Sequence, residues 1–272
     1  MSQRGYEAAR QIAERLRPYS TVLLKLFVDQ ERRRRLELVG SGTYVSIGNT
    51  YGILTAHHSA ATLTGQYALG LSVGREHEEH NFTVRPDSIT ITPIAVPITD
   101  EFGPDLAFIT LADWDKISRI KASKSFLPLL RDREKMLNDP PPIENSLWYV
   151  CGAPYEKLRR DTSEAGFPDG TLEFMDLCLV GGVDRIIDRG DYDYVETDIV
   201  DPSGDIPTNF EGMSGGALWQ VPVAPAEGVP FAPIDHYLTG VIFYQGVSES
   251  GTRFLRCHGR KSIYQHVINA IT

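Results

Sequence analysis

Short apolar runs, separated by turn residues, make up most of this chain. TVLLKLFV, YGILTA, DLAFITL and YLTGVIFYQG are examples, and Gly, Pro, Asn and Asp recur between such runs. Many short strands of this kind are typical of a β-barrel or a β-sandwich. Helical periodicity is confined to the first residues, before Pro18, and to the C-terminus, where one face would carry Ile263, Tyr264, Val267, Ile268 and Ile271.

Composition and charge exclude several classes of protein. The net charge of −9 over 272 residues does not favour binding to nucleic acid or to an anionic membrane. The N-terminal segment lacks the apolar core of a secretory signal, and no stretch approaches the roughly 20 apolar residues of a membrane span. Cys151, Cys178 and Cys257 form neither a CxxC pair nor an even disulfide set. We therefore expect a cytoplasmic protein without a metal or another cofactor.

A serine in a glycine-rich segment is the first candidate for chemistry. FEGMSGGALW places Ser214 in a GxSxG pattern, which also describes the nucleophile elbow of α/β-hydrolase esterases. Such an elbow leads into a helix, whereas here a strand-like and proline-rich sequence follows. Asp235 and His258 nevertheless stand in the order that an esterase triad requires, so this alternative stays open at the level of sequence.

A second pair of partners for Ser214 lies upstream. His58 follows the β-rich run GILTA, and Asp105 stands at the head of the apolar run LAFITL. The order His, Asp, Ser along the chain is that of the chymotrypsin-type triad. The spacing would put His58 and Asp105 in one barrel and Ser214 in a second, with the site between them.

Four segments together resemble a trypsin-like serine protease of the chymotrypsin fold. GSGTYVSIGNTYGILTAHH resembles the approach to the catalytic histidine, DLAFITL the aspartate strand, YVETDIV the strand before the serine loop and GMSGGALW the nucleophile loop. The chain is most similar to the bacterial, disulfide-free branch that includes the HtrA or Deg proteases, and no PDZ domain is expected. The resemblance runs from about Thr21 to the end of the chain.

The resemblance implies both a fold and a division of the chain. It predicts an all-β protein with two six-stranded antiparallel β-barrels and a helix at each end. Residues 1–18 would form the N-terminal helix, residues 19–120 the first barrel, and residues 121–272 the second barrel with the C-terminal helix. The polar segment 113–135 is the expected connection between the barrels.

The resemblance also assigns roles at the site. The family pattern Thr-Ala-any-His selects His58 rather than His57 as the general base, with Asp105 orienting its ring and Ser214 as the nucleophile. The backbone amides of Gly212 and Ser214 would form the oxyanion hole. The expected activity is that of a serine endopeptidase.

Substrate contacts are predicted by counting along the same motifs. Thr208 would lie near the base of the pocket for the residue before the scissile bond, where an uncharged side chain does not favour Lys or Arg. Phe243, Tyr244 and Gln245 would lie beside the substrate chain. The expected partners are a protein or peptide substrate and a regulatory protein.

Two departures from the vertebrate-type pattern bear on regulation. Ser59 stands where a disulfide cysteine would follow the histidine, and Met213 stands where an aspartate would pair with a newly cleaved N-terminus. Activation by N-terminal cleavage is therefore not expected. A protein of the same fold that binds peptides without cleaving them is the alternative from another functional class.

Overall fold

The structure is a computed structural model that describes residues 3–28, 31–32, 34–65, 67–72, 81–97, 103–157, 159–161, 171–173, 177–199, 207, 209–226, 229–248 and 251–272. Within these ranges no helix is both long enough and apolar enough to cross a membrane.

Strands from the first half of the chain form one sheet. In the described residues its hydrogen-bonded order is β5-β4-β1-β2-β3-β7-β6, all antiparallel, and β8 adds a short parallel pairing to β2. The two edge strands follow one another along the chain, separated by a single 3₁₀ turn. The strands are β1 (Ser20–Val28), β2 (Arg34–Ile47), β3 (Thr50–Thr55), β4 (Ala68–Ser72), β5 (Asn81–Val84), β6 (Ile89–Ala95), β7 (Leu106–Leu111) and β8 (Leu127–Pro128).

Strands from the second half close into a barrel. In the described part of the chain, six of them follow the order β14-β16-β17-β13-β12-β9, and β9 pairs back to β14. β15 pairs with the far end of β14, beyond the residues that pair with β16, and β10 and β11 form a separate hairpin. The strands are β9 (Ser146–Gly152), β10 (Arg159–Asp161), β11 (Thr171–Glu173), β12 (Leu177–Arg189), β13 (Tyr192–Ile199), β14 (Ala217–Ala226), β15 (Val229–Pro233), β16 (Tyr237–Val247) and β17 (Arg253–His258).

The α-helices lie at both ends of the chain, directly after β3 and between the two sheets. The expected polar connection, 113–135, contains α3 and most of α4, and Asp113 caps α3 by accepting a hydrogen bond from the Lys116 amide. The C-terminal helix begins with π-helical turns over Ser262–Val267 and continues as α5. The α-helices are α1 (Gln3–Leu16), α2 (His57–Ala61), α3 (Trp114–Lys121), α4 (Leu129–Asn138) and α5 (Ile268–Ile271).

A continuous apolar core joins the two sheets. One buried cluster contains Phe108 of the first sheet together with Trp219 of the second, and the apolar face of α1 packs against it through Leu16. Tyr19, the last residue of the 3₁₀ turn that follows α1, contacts Trp219 with 5.3 Å between ring centroids. Burial of this apolar surface fixes the sheets against each other, so residues carried by different sheets can form one site.

The predicted all-β class, with two antiparallel units and a helix at each end, is confirmed by this topology. The segment 113–135 lies between β7 and β9, and its apolar residues recur at helical spacing, which buries Ile117 and Ile120. The proposed boundary between residues 120 and 121 stays a prediction.

Candidate active site

His58 and Asp105 lie together at one end of the first sheet. His58 is in the short helix α2, which begins two residues after β3 ends, and Asp105 directly precedes β7, the neighbour of β3. His58 Nδ1 lies 2.5 Å from Asp105 Oδ2, and the His58 amide donates to Asp105 Oδ1 at 2.9 Å. Because both carboxylate oxygens contact the same residue, the imidazole ring is held in one orientation. The Asp105 side chain is 10% exposed and that of His58 is 48% exposed.

The Ser214 turn is attached to the first sheet by backbone and side-chain hydrogen bonds. The Ser41 amide in β2 donates to the Ser214 carbonyl at 2.8 Å, and the Ser41 hydroxyl donates to the Gly212 carbonyl at 2.7 Å. The same hydroxyl accepts a hydrogen bond from the Ala153 amide at 2.9 Å. The turn passes through positive φ at Gly212 (91°) and Gly215 (88°), a conformation that favours glycine.

Alternate amides of this turn are left without a hydrogen bond. The amide of Met213 donates to Phe210, that of Gly215 to Ile242, and that of Gly216 to Met213. In contrast, the amides of Gly212 and Ser214 donate to no residue that the structure describes. Backbone amides without an internal partner are able to donate hydrogen bonds to an anionic oxygen.

Close packing brings the turn near the helix that carries His58. A methyl group on Gly40 of β2 would lie 2.6 Å from Ser59 Oγ and 2.7 Å from the Ser214 carbonyl oxygen. Gly215 is packed even more closely, since a Cβ atom built there would overlap with the hydroxyl oxygen of Thr55, the last residue of β3. The Ser214 hydroxyl and the His58 ring are nevertheless not hydrogen-bonded to each other in this structure, whereas His58 is bonded to Asp105.

Met213 packs into the interior of the second barrel. Its side chain is fully buried in a cluster that includes Val150, Leu218 and Ile242. An apolar residue here holds the serine turn through van der Waals contact and needs no ionic partner.

The predicted substrate-contacting residues follow one another on β16. Phe243 is buried against Tyr194, while Tyr244 and Gln245 are progressively more exposed. The Gln245 side chain reaches to the segment before Ser214, since its Oε1 accepts from the Phe210 amide and its Nε2 donates to Asn209 Oδ1, both at 2.8 Å. Thr208, the predicted pocket residue, lies outside the described residues.

The Tyr244 ring packs against the guanidinium of a buried ion pair. The guanidinium of Arg256 lies 5.1 Å from the centre of that ring and 2.6 Å from the Glu196 carboxylate. Burial raises the pKa of Glu196, but hydrogen bonds from Arg185 and Arg256 outweigh this effect and hold the pKa below its ordinary value. The ionised pair therefore holds the guanidinium against which the Tyr244 ring of β16 packs.

The residues of the esterase alternative do not form a triad. Asp235 accepts hydrogen bonds from the His236 amide and the Tyr237 hydroxyl. His258 is bonded to the Asp105 amide and to Ser262, not to Ser214. The esterase alternative is therefore wrong, because the fold lacks the helix-wound sheet of an α/β-hydrolase and its acid and base lie apart.

Other reactive groups in the described residues are few. These residues contain no group of three or more His, Cys, Asp and Glu side chains that could hold a metal ion. Cys257 lies in the core of the second barrel, where burial raises the pKa of its thiol and makes it a poor nucleophile.

Comparison with known proteins gives only distant structural similarity. No known protein family matches the sequence, and no curated protein matches it. The tobacco vein mottling virus protease is 13% identical, with 89% of this chain and 77% of that chain covered and a TM-score of 0.41. A structure from work on the coupled folding and binding of the Sesbania mosaic virus VPg protein is 13% identical, with 93% and 98% covered and a TM-score of 0.44.

The NS6 protease from murine norovirus 1 is 16% identical, with 81% of this chain and 86% of that chain covered and a TM-score of 0.32. Two of these three similar structures are thus named as viral proteases, and none comes from a bacterium by its description. The narrower resemblance to the bacterial HtrA or Deg branch stays a prediction. What is established is an all-β protein with two antiparallel units, in which a His–Asp pair at one end of the first sheet lies near a glycine-rich serine turn from the second half of the chain.

Proposed function

We propose that this protein is a serine endopeptidase in which Ser214 is the nucleophile, His58 the general base and Asp105 the residue that orients the base. The observation that carries the proposal is the 2.5 Å contact between His58 Nδ1 and Asp105 Oδ2 beside the serine turn. Hydrogen bonds between the serine and the histidine are often long in structures without a substrate, so the unbonded Ser214 hydroxyl is compatible with this role.

The proposed reaction proceeds through an acyl-enzyme. Ser214 Oγ attacks the substrate carbonyl carbon while its proton passes to His58 Nε2, and the imidazolium then protonates the leaving amine. Asp105 stabilises the imidazolium without taking its proton. The unpaired amides of Gly212 and Ser214 would bind the oxyanion, where loss of one donor typically costs about 3 kcal/mol of transition-state stabilisation. Water, activated by His58, then releases the acyl group.

The end of β16, which is paired on one side only in the described part of the chain, supports a peptide as the substrate. Residues 244–247 pair with β17 on one side, while the pairing of β16 to β14 ends at Val241, which pairs with Ala217 just after the serine turn. No strand among the described residues pairs with the other edge of this segment, so an extended peptide could add there as a further strand.

Gln245 makes the proposed substrate pocket shallow. Its amide bridges β16 to Asn209 and Phe210, across the space where the side chain before the scissile bond would enter. We expect a preference for small residues at that position, and we expect Gln245→Ala to raise the relative reactivity towards a phenylalanine-like side chain by on the order of 10-fold. Peptidyl phosphonates that differ only in this side chain, alanine against phenylalanine, measure the ratio as rates of modification of Ser214.

The matched control for this substitution is Gln11→Ala, which removes an exposed glutamine from α1. It should leave the ratio unchanged. A wild-type protein that already reacts faster with the phenylalanine-like phosphonate would contradict the proposed role of Gln245.

Covalent labelling tests the proposed function itself. A fluorophosphonate reacts with an activated serine, so the wild-type protein should gain one adduct, and peptide mass spectrometry should locate it at Ser214. The Ser214→Ala variant should gain none. An unmodified wild-type protein, or an adduct on another residue, would contradict the proposal.

A peptide-binding protein without catalytic activity is the second candidate function. The observation that favours it is the missing hydrogen bond between Ser214 and His58. It predicts that the protein binds extended peptides and stays unlabelled, so the same experiment separates the two candidates. A regulatory protein partner and a cytoplasmic location stay predictions.

A further inference from the structure

A second histidine lies behind the His58–Asp105 pair. His258, at the end of β17, is completely buried, and its Nε2 accepts a hydrogen bond from the Asp105 amide at 2.8 Å. Asp105 directly precedes β7 of the first sheet, and His258 is the last residue of β17 in the second. The bond therefore crosses from one unit of the fold to the other, directly at the site.

The hydrogen-bond pattern fixes the protonation state of His258. An amide N–H can only donate, so Nε2 must accept and the ring proton must be on Nδ1. Nδ1 lies 3.2 Å from the hydroxyl of Ser262, which in turn donates to Asp193 at 3.0 Å. Burial is the main cause that lowers the pKa of His258, to about 3, so the ring is neutral at neutral pH.

The hydrogen bond to His258 holds the backbone amide of Asp105, which the strand pairing of the first sheet does not hold. The pairing of β7 with β6 begins at Leu106, so the Asp105 amide lies just beyond that ladder. A methyl group on Gly103, two residues earlier, would lie 3.2 Å from the ring of Phe243 and 3.3 Å from that of Tyr194. Both rings also contact the His258 ring, with centroids 4.9 Å and 5.0 Å apart.

We propose that His258 is a positioning residue, whose Nε2 holds the Asp105 backbone so that both carboxylate oxygens reach His58. The expected effect on catalysis rests on the proposed function, whereas the positioning of Asp105 by its hydrogen bond to His258 does not. The two oxygens of Asp105 contact two atoms of His58, so a small displacement of the Asp105 backbone breaks at least one contact. Misplacement by about 1 Å at a catalytic group can cost on the order of 100-fold in rate.

Two amide substitutions at His258 separate positioning from general packing. In His258→Gln the side-chain oxygen can occupy the place of Nε2 and still accept from Asp105. In His258→Asn the side chain is too short for that contact but can keep the one to Ser262. Both replacements are polar and uncharged, so a purely structural role would affect them alike.

The first readout is the rate of fluorophosphonate labelling at Ser214. We expect the Gln variant to stay within about 3-fold of the wild type and the Asn variant to be slower by about 10- to 100-fold. The second readout is the low-field proton NMR signal of the His58–Asp105 hydrogen bond, which should persist in the Gln variant and shift or broaden in the Asn variant. Equal effects of the two substitutions on both readouts would overturn the proposal.

A measurement on the wild-type protein keeps the proposal testable if a variant does not fold. Spectra of ¹⁵N-labelled histidine should report His258 as the neutral Nδ1–H tautomer, and an Nε2–H tautomer would overturn the proposal because that nitrogen could not accept. If the wild-type protein resists fluorophosphonate, the proposed function fails, whereas the NMR signal and the tautomer still decide whether His258 positions Asp105.

Discussion

Replacing His58 with alanine is expected to slow the fluorophosphonate modification of Ser214 by about 1,000-fold or more. A serine hydroxyl is a weak nucleophile unless a base removes its proton as it attacks, and His58 is the ring held by Asp105 at the serine turn. Asp105→Asn should have an effect of similar size, since an amide in that place favours the wrong imidazole tautomer. The urea midpoint of each variant, measured in parallel, separates a catalytic loss from unfolding.

The adjacent histidine provides the matched control. His57 shares α2 with His58, yet in the described part of the chain its ring has no hydrogen-bond partner, whereas the His58 ring is bonded to Asp105. His57→Ala should therefore change the labelling rate by no more than about 3-fold, because it contacts none of the reacting groups. If His57→Ala abolishes labelling and His58→Ala does not, the assignment of the base is wrong by one residue.

Local sequence patterns were sufficient to predict the strands that carry the candidate site. Turn residues precede both β3 and β7, and the candidate catalytic residues adjoin these strands: His58 lies just after the end of β3 and Asp105 just before the start of β7. The structure brings these two together as the pattern suggested. Glycines marked the serine turn for a similar reason, since positive φ at Gly212 and Gly215 is a local backbone requirement.

Features that depend on tertiary contacts were not predicted. The helices α3 and α4 in the polar segment 113–135 were not predicted, because its sparse apolar residues suffice for helices only once the sheets provide a surface to pack against. His258 was considered only as an esterase base. Its contact with Asp105 joins residues 153 positions apart, and no local spacing encodes such a contact. The only sequence signal was a histidine within an apolar strand, which is more often a core residue.

Gly215→Ala is expected to produce the largest structural effect of any single methyl group near the site. A Cβ atom at this position would overlap with the Thr55 hydroxyl and with the carbonyl oxygen of Ser41. These atoms belong to β2 and β3 and are hydrogen-bonded to each other, so they cannot yield without opening the first sheet. The methyl group would instead push the serine turn away from that sheet. We expect a loss of about 3 kcal/mol or more in the free energy of unfolding, from overpacking together with backbone strain.

Gly251→Ala separates these two causes. Gly251 has nearly the same backbone conformation, with φ of 83° against 88° at Gly215, but no atom of the described residues lies within 4 Å of a Cβ built there. Its alanine variant should lose only the strain term, about 1 kcal/mol, and keep the labelling rate at Ser214. The Gly215 variant should lose labelling by more than about 100-fold even under conditions where it stays folded, because the displaced turn would carry Ser214 out of its position near the His58 helix. Equal losses of stability in the two variants, measured by urea unfolding, would show that φ alone governs Gly215 and that the serine turn is not locked against the first sheet.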